Sequence, residues 1–199
     1  MGTAPRRVVL ASASSARLRV LHSAGLEPEV LVSGVDEDDV AGTTAEIVLE
    51  LAERKARAVR ATAGDALIIG CDSLLDLDGE ALGKPGSPAA AAALWHRLAG
   101  RTGTLHTGQV LLDGGSGSCA RRLVSSSIAF AAPHEAEIAA YVASGEPTEV
   151  AGGFTIDGRG AAFVRRVEGD PNGVLGLSSA MLRDQLAELG FALTDLWGR

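Results

Sequence analysis

The chain has 199 residues, of which 46% are hydrophobic and 22% charged, and its formal net charge is −7. The hydrophobic content argues against a disordered chain, and the length suits one domain spanning residues 1–199. The acidic balance, without any long basic stretch, argues against a nucleic-acid duplex as partner, because binding the phosphate backbone needs a basic face. A small anionic ligand in a local positive pocket is compatible with this balance.

The sequence also gives no indication of a membrane protein or of a protein stabilised by disulfides. No apolar stretch approaches the ~20 residues of a membrane span. The two cysteines, Cys71 and Cys119, form no CxxC pair, so neither a zinc site nor a thioredoxin-like motif is indicated. Reduced thiols are the simplest account of them, and we expect a cytoplasmic protein.

Strands and helices are predicted to alternate along the first third of the chain. In chain order we predict a buried strand at 8–11, a polar turn at 12–15, a helix at 16–24, a strand at 29–33, an acidic loop at 36–39 and a helix from 44 to about 62. Gly25 is a favourable end for the first helix. Thr43 and Glu46 have the spacing of a capping box, which predicts the start of the second helix.

The middle of the chain predicts hairpins around one helix. The elements are a strand at 67–77, a return limb reaching 82–85, an Ala-rich helix from 87 or 88 to about 100, and two strands at 105–112 and 121–131. Asp78 and Gly79 form a favourable hairpin turn between the first two limbs. The glycine-rich residues 114–118 are predicted to be a flexible hairpin loop.

The last third completes a mixed α/β pattern. We predict a helix from 133 to about 144, short strands at 154–156 and 161–167, a turn at 170–173 and a final helix at 179–189. Because helices alternate with strands and hairpins also occur, the fold class is α/β, with a mixed central sheet flanked by helices.

Asp72 is the residue that a purely structural account explains least. It interrupts a strongly apolar strand, where a carboxylate loses hydration and favours its neutral form unless a cation or metal lies close. Arg17, Lys55, Lys84 or Mg²⁺ could supply that compensation. Asp72 could then accept a proton from an attacking water or hold a metal that polarises it. The alternative is an aspartate at a strand end, bonded to a turn.

Three cations are candidates for binding a polyphosphate. Lys55 falls on the apolar stripe of its predicted helix. Either its ammonium points into a cleft, or its aliphatic stem simply packs along the core while the ammonium reaches solvent. Arg17 follows a serine-rich turn at a helix start, a place that favours anions, although an N-cap with a surface arginine fits as well. Lys84 precedes a proline that fixes the local backbone. The same local sequence also suits an ordinary exposed lysine. The four residues together favour a phosphate-ester hydrolase.

Several further acidic residues are weaker candidates. Asp36 and Glu37 could bind a ligand through a metal or through sugar hydroxyls, with a solvated loop as the alternative. If a metal is bound, Asp72 with Asp36 or Glu37 would be its ligands. Asp157 lies between predicted strands, where it also suits a turn.

Taken in order, seven segments resemble the Maf family of nucleoside triphosphate pyrophosphatases. The opening SASSAR segment ending at Arg17 resembles its SxSxxR motif, and GCDS around Asp72 resembles its GxD[ST] motif. LGKP around Lys84 matches its LxKP motif. The remaining similarities are the acidic Asp36-Glu37 pair and residues 52–56, 151–160 and 173–177. The Ala-rich character and the GGFTIDG segment look most like actinobacterial members.

The resemblance implies a fold similar to Maf and inosine triphosphatases, with two lobes around a cleft. It implies hydrolysis of a nucleoside triphosphate to a monophosphate and pyrophosphate, with a divalent cation such as Mg²⁺ or Mn²⁺ as cofactor. Asp72 would be the proton acceptor. The implied substrate contacts are phosphates for Arg17, Lys55 and Lys84, and the cleft lining for Ser12 and Asp36.

One departure and one rival function accompany this resemblance. Members acting on thymidine and uridine triphosphates usually carry Gln where Asp157 stands, and a carboxylate cannot donate to a base carbonyl as an amide can. Asp157 is therefore a candidate base contact without an assigned base. The rival is a nucleotide-binding regulator of cell division and septum formation with little catalysis. The resemblance also suggests a homodimer.

Overall fold

The computed structural model describes residues 6–37 and 39–197, so that Asp38 of the predicted acidic loop lies outside the described residues. The strands are β1 (Val8–Leu10), β2 (Glu29–Val30), β3 (Leu67–Leu77), β4 (Glu80–Leu82), β5 (Thr102–Asp113), β6 (Cys119–Phe130) and β7 (Val164–Glu168). The α-helices are α1 (Ser15–Ser23), α2 (Thr44–Ala58), α3 (Arg60–Ala63), α4 (Pro88–Leu98), α5 (Glu135–Ala143), α6 (Pro171–Val174) and α7 (Ser179–Glu188). Short 3-10 helices lie at Glu146–Glu149, Ala151–Gly153, Arg159–Phe163 and Leu193–Leu196.

Within the described ranges, the strands form a seven-stranded mixed sheet. Its order is β2-β1-β3-β5-β6-β7, and β4 pairs with β3 as a hairpin. β1 runs parallel to β2 and β3, whereas β3, β5, β6 and β7 pair antiparallel in turn. The predicted mixed sheet flanked by helices is confirmed. No helix in this part of the chain has the length and apolar character needed to cross a membrane.

Local sequence signals locate several element boundaries as predicted. Thr43 and Glu46 make both hydrogen bonds of a capping box at the start of α2. The β3–β4 turn has φ of 59° at Asp78 and 85° at Gly79, the two positive values that a type I′ turn needs. Ser87 caps α4, and its side chain accepts from the Ala90 N–H. These signals act over three or four residues, which is why sequence alone suffices for them.

The lengths of four predicted elements are corrected. The strand predicted at 29–33 is limited to β2, because its partner β1 ends at Leu10 and the ladder stops with it. The helix predicted to reach residue 62 is interrupted at Val59, between α2 and α3. β5 and β6 are longer than predicted, because they pair from Thr102–Ala129 to Leu112–Cys119 and each additional residue finds a partner.

The segment before β7 departs further from prediction. Residues 154–156 are not a strand, because they pair with none of the described strands and Phe154 is buried among core side chains instead. Residues 161–163 belong to a 3-10 helix, and only the end of the predicted strand pairs in β7. The predicted turn at 170–173 contains the short helix α6. Asp170 caps this helix by accepting from the Asn172 and Gly173 N–H groups, with Pro171 in the first turn.

Two hydrophobic clusters divide the length of the central strands and form two lobes. One cluster packs the first part of β3 and the end of β5 against α1 and α7. The other packs the end of β3 and the start of β5 against α4 and α5, around the fully buried Trp95. Asp72, Ser73 and Leu74 lie on the stretch of β3 between the two clusters, and all three line the cleft there. The predicted arrangement of two lobes around a cleft is confirmed.

On the other face of the sheet, two glycines let α2 approach the strands closely. A Cβ at Gly70 of β3 would lie 2.1 Å from the Ala52 carbonyl oxygen, and one at Gly108 of β5 would lie 2.2 Å from that of Val48. No side chain fits at these distances. The backbone of α2 therefore rests directly on the sheet, which brings the helix end carrying Lys55 beside the middle of β3.

Replacing Gly108 by alanine should displace α2 and lower the free energy of unfolding by about 1–3 kcal/mol, the usual cost of overpacking a core. Urea unfolding measures this loss. Gly115→Ala is the matched control, because the nearest atom to its added Cβ is 3.5 Å away, an ordinary contact. Equal stability of the two variants would show that α2 does not depend on this close approach.

Candidate active site

The four residues emphasised by the sequence lie in one cleft. Arg17, Lys55, Asp72 and Lys84 all line a cavity of about 960 Å³ between the two lobes. They come from α1, α2, β3 and the loop after β4, and are therefore gathered only by folding. The sequence-based expectation that basic side chains surround Asp72 in a common cavity agrees with this geometry, while their individual roles stay predictions.

Asp72 and Lys55 form a buried ion pair. Lys55 Nζ lies 2.6 Å from Asp72 Oδ1, and the two residues are 8% and 5% exposed. Burial raises the pKa of the Asp72 carboxyl, and the adjacent Lys55 ammonium is the largest influence that lowers it. The net direction is upward, so this carboxylate is a stronger base than an ordinary aspartate.

A second carboxylate shares Lys55. Glu37 Oε1 lies 2.6 Å from Lys55 Nζ, and its side chain is about half exposed, at 55%. Glu37 raises the pKa of Asp72 by its negative charge. Glu37 and Val35 line the cleft, whereas Asp36 is not among its lining residues. The carboxylate of the acidic loop that pairs with Lys55 is that of Glu37, and the roles implied for Asp36 and Glu37 stay predictions.

These carboxylates bear on the predicted divalent cation. The described residues contain no cluster of three or more His, Cys, Asp or Glu side chains that could hold a metal by themselves. Asp72 and Glu37 converge on the same ammonium, and two carboxylates are the number with which Mg²⁺ is commonly held when phosphate oxygens complete its shell. The donors present therefore fit a cation that arrives with a polyphosphate.

Arg17 is held by a set of hydrogen bonds. Its Nη1 donates to Ser12 Oγ at 3.0 Å, its Nη2 to Ser73 Oγ at 3.2 Å and its Nε to the Gly176 carbonyl at 2.9 Å. The residue is only 9% exposed and lines the cleft. Sequence reasoning found Ser12 and Arg17 but assigned no role to Ser73 or Gly176, which lies 159 residues away from Arg17.

Lys84 lines the cleft from an exposed loop. Its neighbour Gly83 accepts a hydrogen bond from the Gly152 N–H at 3.0 Å, and Pro85 follows directly. This bond ties the lysine loop to the segment that leads to Phe154, another residue of the cleft lining. The Gly86 N–H donates to the Thr148 carbonyl at 2.9 Å, so the loop is held by backbone hydrogen bonds on both sides of Lys84.

Asp157 also lines the cleft and is paired. Its Oδ2 is 2.5 Å from Arg19 Nη2, an ion pair between the loop and α1. Glu146, which sequence reasoning missed, shapes this loop by accepting from Thr155 Oγ1 at 2.6 Å and from the Gly160 N–H at 2.9 Å. Burial alone would raise the pKa of Glu146, but these hydrogen bonds hold it below its usual value. No local pattern in the sequence marks Glu146 for this task.

Comparison with known proteins provides a second, independent observation about this chain. The family model described as Maf-like protein matches residues 7–189. A protein of Salinispora tropica named nucleoside triphosphate pyrophosphatase is 52% identical over 204 residues, covering 100% of this chain and 90% of that protein. A Streptomyces coelicolor protein of the same name is 54% identical over 195 residues, covering 96% and 95%. Among solved structures, a dITP/XTP pyrophosphatase of Mycobacterium abscessus aligns at 18% identity and a TM-score of 0.41 over 64% of this chain and 75% of that one.

Proposed function

Because the chain belongs to the Maf-like protein family, we propose that it hydrolyses a nucleoside triphosphate to the nucleoside monophosphate and pyrophosphate. Water attacks the α-phosphorus, the bond from this phosphorus to the oxygen that bridges it to the β-phosphorus breaks, and pyrophosphate leaves with that oxygen. The observation that carries the proposal is the buried Asp72 carboxylate in a cleft that Arg17, Lys55 and Lys84 also line.

In this mechanism Asp72 takes the proton of the attacking water. Its raised pKa suits a base better than that of an exposed aspartate, because proton transfer improves as the acceptor pKa approaches the working pH. Arg17, Lys55 and Lys84 bind the phosphate chain and stabilise the charge that develops on it, which is the dominant contribution in phosphoryl transfer. Ser12 supplies a hydroxyl next to Arg17.

A divalent cation, Mg²⁺ or Mn²⁺, is the proposed cofactor. Asp72 and Glu37 would hold it together with phosphate oxygens of the substrate. When bound, it supplies charge neutralisation and polarises the water. Chelation with EDTA is expected to abolish turnover and added Mg²⁺ to restore it. Full activity in EDTA would remove the cation from the proposal.

The test of the activity is an assay for pyrophosphate and nucleoside monophosphate across a panel of nucleoside triphosphates. Modified bases belong in the panel, because Asp157 accepts hydrogen bonds but cannot donate them to a base carbonyl. The expected result is equimolar pyrophosphate and monophosphate from at least one nucleotide. Tight nucleotide binding without pyrophosphate release would instead favour the regulator of cell division.

The pH dependence of turnover provides a second test. Turnover should rise with pH as Asp72 loses its proton, and the midpoint should lie above the ~3.9 of an ordinary aspartate, because burial raises the pKa of this carboxyl. Glu37 is also a proposed cation ligand, so both proteins are assayed at saturating Mg²⁺. Under these conditions Glu37→Gln should move the midpoint to lower pH, since the negative charge of Glu37 raises the pKa of Asp72. The titration of the substrate is the same for both proteins and cannot cause that shift.

Measurement of kcat/KM against pH checks this prediction, with each sample returned to neutral pH to confirm that it has not unfolded. Equal midpoints for the unmodified protein and the Glu37→Gln variant would contradict it.

Cellular location and assembly complete the proposal. We expect the protein to act in the cytoplasm, where nucleotides are its substrates, and to form a homodimer. Light scattering coupled to size-exclusion chromatography tests the assembly, and a monomeric mass would contradict it.

A further inference from the structure

A chain of hydroxyl groups leads from Arg17 into the sheet. Arg17 Nη2 lies 3.2 Å from Ser73 Oγ, which lies 2.8 Å from Thr107 Oγ1, and Thr107 Oγ1 donates to the Gly173 carbonyl at 2.9 Å. We propose that Thr107 is a positioning residue whose hydroxyl fixes the orientation of the Arg17 guanidinium. The inference rests on the proposed function in one respect, the binding of phosphate by Arg17.

Counting protons determines the direction of this chain. A hydroxyl has one proton, a carbonyl only accepts and a guanidinium only donates. Thr107 uses its one proton to donate to the Gly173 carbonyl, so Ser73 has to be the donor in its hydrogen bond with Thr107. The remaining lone pairs of Ser73 then face Arg17 as an acceptor. Thr107 therefore decides that Ser73 offers Arg17 an acceptor rather than a competing donor.

Thr107 acts through Ser73, because it does not reach the cleft. It lies on β5 directly opposite Ser73 of β3 in the sheet register. It is 1% exposed and is not among the described residues that line the cleft, whereas Ser73 is. A substrate in the cleft can touch Arg17 and Ser73 but not Thr107.

The far end of the chain is rigid. Gly173 belongs to α6, where its N–H donates to the Asp170 carboxylate at 3.2 Å, and a Cβ at Gly173 would lie 2.6 Å from Val124 Cγ1. The same loop binds Arg17 directly through the Gly176 carbonyl. Arg17 is thus connected to one anchored loop twice, once directly and once through the two hydroxyls.

Thr107→Val is the variant that tests this inference, because valine keeps the shape of threonine and removes only the hydroxyl. The Gly173 carbonyl and the Ser73 proton lose their partner, and Ser73 is free to turn its proton toward Arg17. We expect kcat/KM to fall about tenfold, the scale of one lost hydrogen bond. Thr107→Ser keeps the hydroxyl and should stay within about twofold of the unmodified protein.

A double-mutant cycle separates positioning from a general structural role. Thr107→Val is made in the unmodified protein and in an Arg17→Lys variant, which keeps the charge but loses the hydrogen-bonding fork. The expected result is a tenfold loss in the first and less than about twofold in the second, because the hydroxyl then has no guanidinium to orient. An equal loss in both, or none in either, would overturn the inference.

Two further variants keep the test decisive. Thr44→Val removes another buried threonine hydroxyl, which donates to the Asp76 carboxylate at 2.7 Å. Neither residue is among the described residues that line the cleft, so this variant should leave kcat/KM unchanged. If Thr107→Val fails to fold, Ser73→Ala breaks the same chain one step nearer Arg17 and should show the same dependence on Arg17.

The controls also separate the inference from its premise. If the unmodified protein releases no pyrophosphate from any nucleotide, both the proposed function and the inference about Thr107 are wrong. If the unmodified protein is active but Arg17→Lys is equally active, the inference alone fails.

Discussion

Replacing Asp72 by asparagine should lower turnover by at least about 10²-fold, the lower end of a general-base effect. Asparagine has nearly the same shape, and its carbonyl oxygen can still accept from Lys55. The variant loses only the ability to take a proton from water and to hold a cation by charge. Steady-state measurement of kcat with the best nucleotide of the panel determines the loss.

The fold should survive this change. Burial raises the pKa of Asp72, so ionising it costs more in the folded state than in the unfolded chain. Its contribution to stability is therefore present below the ordinary aspartate pKa and is lost as pH rises through the raised folded value. Asparagine cannot ionise, and Lys55 keeps the Glu37 carboxylate as a partner at 2.6 Å, so that no buried charge is left unpaired. The variant should therefore be at least as stable as the unmodified protein at neutral pH. Thermal unfolding at several pH values measures this.

Asp76→Asn is the matched control for Asp72→Asn. Asp76 lies on the same strand, bonds to Thr44 and is not among the described residues that line the cleft. We expect its turnover to stay within about threefold of the unmodified protein, since it touches no reacting group. Near-normal turnover of Asp72→Asn, in a folded protein, would remove Asp72 from the mechanism.

Replacing Lys55 by methionine should have the largest effect on stability. Methionine retains an apolar stem but removes the ammonium, which leaves the buried Asp72 carboxylate without its closest cation. Breaking a buried ion pair from one side typically costs about 3–5 kcal/mol. Glu37 also loses its partner, but it is about half exposed and can be hydrated. Urea unfolding measures the loss, and turnover should fall with it.

The stability lost in Lys55→Met should depend on pH in a defined direction. Lys55 is the largest influence that lowers the pKa of Asp72, so its removal raises that pKa further. The deficit should be largest above this raised value and should shrink as pH falls and Asp72 becomes neutral. Adding Asp72→Asn to Lys55→Met should restore much of the stability at neutral pH.

Arg54→Met provides the control on the neighbouring residue of α2. Arg54 forms exposed ion pairs with Glu50 and Asp39, and such pairs contribute at most about 1 kcal/mol. If Lys55→Met costs no more than Arg54→Met, or if Asp72→Asn restores nothing, the buried pair does not control stability as the geometry indicates.

Some of the site could be predicted because two residues break a regular pattern. Lys55 falls on the apolar stripe of α2, and Asp72 interrupts an apolar strand. A charged group in a buried position needs compensation, so each residue predicts a partner. The sequence could not say that they are partners of each other. The 2.6 Å contact depends on α2 resting on Gly70 and Gly108, and this close packing is not visible in either local segment.

Other parts of the site depend on where distant segments meet. Arg17 is held by the Gly176 carbonyl, and Glu146 shapes the loop that carries Asp157. The strand predicted at 154–156 fails for the same kind of reason, since it looks like a strand locally but pairs with none of the described strands, and Phe154 is buried in the hydrophobic cluster around Trp95. Propensity gives no information about whether a segment meets a pairing partner in the folded chain.

The sequence by itself determined the mixed α/β class, the helix caps, the β3–β4 turn and the identity of the four charged residues that prove to line one cleft. Caps and turns follow from contacts within a few residues, and buried charges are conspicuous against an apolar pattern. Tertiary structure decided which carboxylate of the acidic loop joins Lys55, what fixes Arg17 and where the cleft lies. Those features depend on contacts between residues far apart in the chain, whose geometry is set by how helices and strands pack together.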